Sequence, residues 1–425
     1  MTLLAGSVDD RFEPFSAAYL ADPYPALKHL RETAPAFYDA DLDHWIVTRY
    51  ADVREIFTTP ARFSAANALD PLTPPCPQAR AALAAGGYDA TSVLTNVDPP
   101  LHTRHRRLAN VAFTPKRIAA LEPFVRNAAA RFCEEREELG YADMVGDLAW
   151  ALPALVLFQI LGLPESDLAR VKDGARNRGA MLFGRASVDE QVDAAGELAS
   201  FWRYAERLIE AREERPGEDF ISQLMTAPGA DGTGDAFTRQ ELTSLMLIML
   251  FAGHETTTNL LGNSFRRLLE RRDSWEAICA DPSLIPGAIE EVLRYDSSVI
   301  TWRHKTREAV EIGGVPVPAD AKLLLLIGAA NRDPATFPDP ERFDIRRANA
   351  REHLAFGCGI HTCLGAPLAR FEARLVLEEV SRRLPSLQLD ADASLTFAAS
   401  ISHRGPDALP VTWTALVADS DVSPR

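Results

Sequence analysis

Apolar and polar positions follow a helical period over most of the first two thirds of the chain, which predicts a mainly α protein with small β-sheets. A helix is expected at Tyr24–Thr33, followed by strand-like runs Ala36–Tyr38 and Trp45–Thr48 around an Asp-rich turn, then a helix at Tyr50–Phe57. From Thr59 to Val97 the period breaks at Pro60, Pro71, Pro74, Pro75, Pro77 and the Gly86-Gly87 pair, leaving room for a short helix near Gln78–Ala85. Loops this long in compact domains are usually functional. Helical segments are then expected at Leu101–Phe113, Pro115–Leu139, Val145–Leu161, Glu165–Gly184, Ser187–Arg215 and Asp219–Met225, with a Gly-rich loop at Ala227–Phe237. Thr238 to Arg272 predicts one long helix, with Thr238 as N-cap and Glu241 as its capping-box partner. Its middle, Leu245–Phe251, is apolar on every side, as a helix passing through the core must be. Helices at Ser274–Ala280 and Pro286–Asp296 precede period-two strands at Val299–His304, Val310–Ile312, Val315–Val317 and Lys322–Ile327, with a turn at Gly313-Gly314. A last long helix, Leu364–Leu384, and short strands complete the pattern.

Composition narrows the function classes. The chain has 425 residues, 47% hydrophobic and 25% charged, as in ordinary globular proteins, and length alone suggests two or three domains. Its 45 Lys+Arg against 60 Asp+Glu give a net charge of −15, which argues against a nucleic-acid partner. Five scattered cysteines, an odd number, do not make a disulfide framework and point to a reducing, cytoplasmic setting. Asp9, Asp10 and Glu13 stand where an export signal would continue its apolar stretch. The most apolar runs, Leu242–Gly253, Ala149–Leu163 and Leu323–Ala330, are shorter than the ~20 residues that span a bilayer, so no membrane association is expected.

Chemistry concentrates at Phe356-Gly357-Cys358-Gly359-Ile360-His361-Thr362-Cys363-Leu364-Gly365, where three glycines lead directly into a helix. Glycines at this density let the backbone approach a flat partner closely. Cys363 at a helix start would have its thiolate, the metal-binding form, stabilised by free N–H groups. Taken alone, a Cys in that position is more often a small buried residue. An iron–sulfur cluster is ruled out, because no cysteine follows Cys363.

The segment resembles the Cys-ligand loop of the cytochrome P450 superfamily, Phe-x-x-Gly-x-x-x-Cys-x-Gly with His two before the Cys. Further family motifs occur in order. Ala252-Gly253-His254-Glu255-Thr256-Thr257 is similar to the oxygen-activation motif, Glu291-Val-Leu-Arg294 to Glu-x-x-Arg, and Pro340-Glu341-Arg342-Phe343 supplies a second arginine. The likeness runs from about Tyr24 to Trp413. It implies the P450 fold, a triangular helical prism with haem b between the central helix and the Cys-ligand helix. A single catalytic domain over residues 1–425 follows, with a β-rich lobe near 36–48 and 299–327. Segments beginning at Trp275, Trp302-Arg303 and Arg404-Gly-Pro-Asp are similar to a bacterial subgroup of herbicide-degrading and reductase-fused members.

The resemblance assigns Cys363 as the metal ligand and Glu255 and Thr256 as the catalytic acid–alcohol pair that organises water for proton delivery. Thr256 lies four residues after Ala252, so its hydroxyl can bond the Ala252 carbonyl while Gly253 weakens the same turn, and a local opening of the helix is expected. Haem contacts are expected from His102, Arg106, Ala252, Gly253, Arg303, His353, Phe356, Gly357, His361, Cys363 and Gly365. Of these, His102, Arg106, Arg303, His353 and His361 would meet the propionates. Glu291, Arg294 and Arg342 would form the structural triad, while Met249, Leu250, Val299, Ile300 and Ile401, together with parts of the Thr59–Val97 loop and the Arg178–Arg185 region, would line the substrate pocket. Cys358 and His254 are expected to play no catalytic part, His254 packing against a neighbouring helix. The implied function is O2-dependent monooxygenation of a small hydrophobic substrate by a monomer, with electrons from a ferredoxin or flavodoxin and an NAD(P)H-dependent reductase. Arg104, Arg107, Arg370 and Arg374 are candidates for a basic docking patch. The alternatives are an H2O2-using peroxygenase and a non-catalytic haem-thiolate ligand-binding protein.

Overall fold

The computed structural model describes residues 12–110, 113–226 and 236–414; most of the predicted loop Ala227–Phe237 lies outside them. Helices dominate, and their ends follow local sequence. Ser187 and Glu190 form a capping box for the helix Val188–Glu214. Thr238 and Glu241 do the same for the central helix Arg239–Glu270, with bonds of 3.2 and 2.8 Å. Gly162, at φ +65°, closes Leu152–Leu161 in the left-handed conformation that glycine adopts without strain.

Two predicted helices divide at prolines. Pro115–Leu139 is two helices, Pro115–Ala120 and Glu122–Arg136, because Pro123 has no N–H for the carbonyl four residues back. Val145–Leu161 becomes a π-helical segment, Met144–Ala149, and a helix Leu152–Leu161 with Pro153 in its first turn. The predicted strand Val299–His304 begins only at Trp302 and runs to Thr306, and Lys322–Ile327 ends at Leu325, ahead of a short helix Ile327–Ala330.

The largest sheet has five strands, in the order Ala36–Asp39, His44–Val47, Lys322–Leu325, Trp302–Thr306 and Phe63–Ser64. Trp45 pairs with Leu323 in parallel, and Trp302 with Leu325 antiparallel, so chain segments far apart in sequence join in one lobe. The central helix passes through three apolar clusters. Leu260, Phe265 and Leu268 belong to one, Leu245–Leu250 to a second, and Phe251 to a third that also holds Tyr24, Ile300 and Ile401. Apolar neighbours on every side explain why Leu245–Phe251 has no polar face. Among the described residues one helical stretch, Met144–Leu161, is long and apolar enough to cross a membrane, and it is 61% buried inside the protein.

Candidate functional site

The central helix, the helix Leu101–Ala109, and the loop ahead of the helix Ala366–Arg383 meet around a cavity of about 260 Å³. Cys363 sits in that loop, whose Cys363 N–H bonds the Phe356 carbonyl at 2.9 Å. Gly357 and Gly359 take φ of +62° and +73°. A Cβ on Gly359 would stand 2.4 Å from the Phe57 carbonyl oxygen, so this glycine serves close packing on the helix Tyr50–Thr58. Cys363 precedes its helix, which starts at Ala366 with Gly365 as cap. It is exposed only in the sense that it faces the cavity it lines. Burial pushes its thiol up, against the N–H groups of Gly365 and Ala366 and the Arg106 guanidinium. The helix start therefore offsets burial only in part, and it is a bound cation that would hold this sulfur as thiolate.

Across the cavity, Met249, Ala252, Gly253 and Thr256 share one face of the central helix at spacings of three and four. Thr256 Oγ1 donates to the Ala252 carbonyl at 3.0 Å, as expected. The expected local opening is absent: the helix runs unbroken from Arg239 to Glu270, so this bond forms without interrupting it. A Cβ on Gly253 would come within 3.0 Å of Leu157, which makes this glycine the closest approach to the helix Leu152–Leu161. Glu255 points away from the cavity lining, toward Lys172 Nζ at 3.7 Å and His254 Nε2 at 3.3 Å. Burial alone would raise its carboxyl; His254 and Lys172 outweigh that and bring it down to about 2. His254 is fully buried, in keeping with a packing role.

His102, Arg106, Phe356, Gly357, His361, Cys363 and Gly365 all line the cavity, as do Ala252 and Gly253. The His102 and His361 rings lie 4.1 Å apart, and Nε2 of His102 and both ring nitrogens of His361 lack hydrogen-bond partners although buried. Burial and neighbouring positive groups push both histidines down, His361 to about 3. Arg106 spends one donor on the Thr362 carbonyl, at 2.6 Å. Orphaned buried nitrogens beside a guanidinium fit a ligand bearing carboxylates, and a sulfur facing the same cavity fits a metal at its centre. The residues present therefore fit haem.

Other expected contacts fall elsewhere. His353 lines no part of the cavity: its Nδ1 accepts the Ala355 N–H at 3.1 Å, and its Nε2 faces Glu290 at 3.1 Å. It is a buried brace beneath the Cys loop, because Glu290, also bonded by Arg370 at 2.7 and 2.9 Å, draws it inward. Arg303 is spent on the backbone carbonyls of Asp70 and Leu182 and lies 4.9 Å over the Phe183 ring, while Trp302 reaches the cavity instead. Burial brings Arg303 down to about 10, against the attraction of Asp70. In the triad, Arg294 donates twice to Glu291 at 2.7 Å, but the third member is Arg347, 3.2 Å from Glu291. Arg342 has an exposed side chain and offers only its carbonyl, to Arg294 and Arg347. Met249 and Val299 line the pocket. Leu250 turns a step around the helix into the core, Ile300 faces opposite to Val299, and Ile401 packs with Ile300. Lys172, Arg178 and His403 are additions. Arg178 belongs to a region read from the sequence as pocket wall, whereas a lone Lys172 on a mixed helix gave no signal. Within the candidate patch Arg104 is compensated by Glu241, Arg370 by Glu290 and Arg374 by Glu378.

The family model "Cytochrome P450" matches residues 197–384. The monooxygenase PikC of Streptomyces venezuelae is 37% identical over 406 residues, covering 93% of this chain and 92% of that protein. The structure of cytochrome P450 CREJ in complex with (4-ethylphenyl) dihydrogen phosphate superposes with a TM-score of 0.92 at 40% identity, covering 96% and 100% of the two chains. The CYP116B5 heme domain of Acinetobacter radioresistens does so with a TM-score of 0.91 at 36% identity, covering 95% and 98%.

Proposed function

The chain belongs to the cytochrome P450 family and is a bacterial haem-thiolate monooxygenase; on that premise we propose that Cys363 is the iron ligand and Thr256 with Glu255 the proton-handling pair of one catalytic domain. The observation that carries this is that the Cys363 sulfur and the Thr256 hydroxyl, on different elements, line a single cavity. Haem, when bound, supplies the iron for two-electron activation of O2 and insertion of one oxygen atom into an organic substrate.

This chain's residues supply the rest. Arg106, His102 and His361 bind the two carboxylates with charge-assisted or donor contacts. Thr256, already oriented by its bond to Ala252, presents its hydroxyl oxygen as a relay point for water. Glu255 is ionised at neutral pH and holds Lys172 loosely, so a rotation of its side chain can carry a proton from the Lys172 side toward the Thr256 hydroxyl. The apolar remainder of the wall excludes bulk water and selects a hydrophobic substrate. Both ends of the chain support one domain, since Arg404 donates to the Leu20 carbonyl at 2.9 Å and Tyr24 to Asp296 at 2.7 Å.

Enzymes of this family take electrons from redox partners; we assign a cytoplasmic monomer served by a ferredoxin or flavodoxin with an NAD(P)H-dependent reductase. The compensated arginines favour docking by shape over a broad basic patch. The neighbouring P450 that holds (4-ethylphenyl) dihydrogen phosphate supports a small aromatic substrate, with a secondary-metabolite intermediate as the second class. The test is the reduced, CO-treated protein: its Soret band should be red-shifted as thiolate ligation requires, and Cys363→Ala should abolish that band. Thr256→Ala should keep the band and divert NAD(P)H electrons into H2O2. A Cys363→Ala protein that kept the band would refute the assignment.

A further inference from the structure

We propose that Arg178, held by the Tyr88 hydroxyl, forms an oxyanion-binding end of the substrate cavity, so that the enzyme takes a molecule with an apolar body and a carboxylate or phosphate monoester head. This rests on the monooxygenase reading and names its substrate class. Arg178 lies on the helix Leu168–Phe183, is only 7% exposed, and lines the same cavity as Cys363 and Thr256. Among the described residues its single hydrogen bond is to the Tyr88 hydroxyl, at 3.3 Å, and its Nε is buried without a partner. A guanidinium carries five N–H donors, so most of this one is unused.

The other buried arginines differ. Arg294 has Glu291, Arg332 and Arg31 have Glu341, and Arg404 has Asp296. Arg303 has no carboxylate in ion-pair range, but it is tied to two backbone carbonyls and does not reach the cavity. Arg178 alone among them combines burial, a cavity-facing position and, among the described residues, no acidic partner. A buried charge left without a counter-ion is costly, and a protein keeps one where a ligand brings the opposite charge. The haem carboxylates are not that ligand, for His102, Arg106 and His361 wait for them on other elements. The same cavity is lined by Leu69, Leu94, Ile248 and Met249, whose apolar surface suits the body of such a molecule. Tyr88, outside the cavity lining, is itself braced against Trp202, with ring centroids 5.5 Å apart, so its hydroxyl fixes the position of the guanidinium.

The experiment uses the haem-loaded protein and three probes of one shape: 4-butylbenzoate, 4-butylphenyl phosphate and the neutral 4-butylbenzamide. Dissociation constants come from equilibrium dialysis, with the low-to-high-spin Soret shift as a second readout. At least one anion should bind about tenfold or more tightly than the amide, the scale of one charge-assisted hydrogen bond. Arg178→Gln should collapse that ratio to near one, Arg178→Lys should keep part of it, and Tyr88→Phe should reduce it several-fold. If Arg178→Gln does not load haem, the Lys and Phe variants decide by the same ratio. Neither anion surpassing the amide, or a preference surviving these substitutions, overturns the proposal. Because the thiolate–CO band is recorded on the same samples, its absence would count against the monooxygenase reading, and a failed ratio with the band intact against the subsite alone.

Discussion

Glu291 and Glu255 are both carboxylates on helices inside the protein, yet they are held in opposite ways. Glu291 has no exposed surface and is saturated: two bonds of 2.7 Å from Arg294, one of 2.8 Å from the Asp344 N–H, and Arg347 at 3.2 Å. Glu255 keeps 28% of its side chain exposed, with Lys172 Nζ at 3.7 Å and His254 Nε2 at 3.3 Å, neither ring nitrogen of His254 being aligned for a hydrogen bond among the described residues. A saturated carboxylate cannot take up or release a proton without breaking its neighbours. A loosely held one beside a cavity can. The first arrangement fixes the loop of Asp344 and Arg347 against its helix, and the second leaves a proton carrier free to turn.

The sharpest way to break this contrast is Glu291→Gln. It leaves two guanidinium groups buried without a counter-charge, at a cost of about 3–5 kcal/mol. We expect little haem-loaded protein and a clearly lower urea midpoint. A variant that loads haem normally and melts within about 2 °C of the parent would show the cluster to be dispensable. Glu255→Gln should act mainly on turnover. It strips the buried Lys172 of its carboxylate, so some stability should be lost, but less than for Glu291→Gln, while coupled product formation falls by about 10²-fold, the usual scale of a lost acid–base group. Measuring product per NAD(P)H alongside thermal melting separates the two outcomes, and undiminished coupling would remove Glu255 from the proton path.

Next in size is the arginine pair. Arg347→Ala should cost about 2 kcal/mol, as expected for hydrogen bonds to a charged group. Arg342→Ala should lie within about 0.5 kcal/mol of the parent, since that side chain is exposed. Equal effects in chemical denaturation would undo the reassignment of the triad's third member.

That reassignment marks where the sequence was legible and where it was not. Period and capping carried nearly every helix, because burial and cap chemistry are local; Thr238 with Glu241 and Ser187 with Glu190 are examples. Boundaries failed where one proline removed one hydrogen bond, at Pro123 and Pro153. Cys363, Thr256, His102 and Arg106 were legible because each sits in a short motif that fixes its own backbone. Arg342 and Arg347 lie five residues apart in an irregular loop, and only the fold of that loop decides which guanidinium turns inward. His353 was misread for the same reason: its partner Glu290 is 63 residues away. Lys172 approaches Glu255 from another helix, and Arg178, though in a stretch expected at the pocket wall, shows its unused charge only in the folded cavity, so neither role has a local signature.

The smallest expected effect tests what keeps Glu255 ionised. Its carboxyl titrates at about 2, below the usual 4.5, because His254 and Lys172 together outweigh the upward push of burial. The stability this contributes is therefore fully present above about 4.5 and lost as pH falls through about 2. Lys172→Met removes one cation and leaves burial in place, so the carboxyl should rise by on the order of one pH unit. The acid limb of coupled turnover should move to higher pH by the same amount, with Lys172→Arg close to the parent and Glu255→Gln showing no limb from this group. A Lys172→Met profile superimposing on the parent's would mean that His254 alone sets the charge state of Glu255, and that the loose ion pair seen here is incidental to proton delivery.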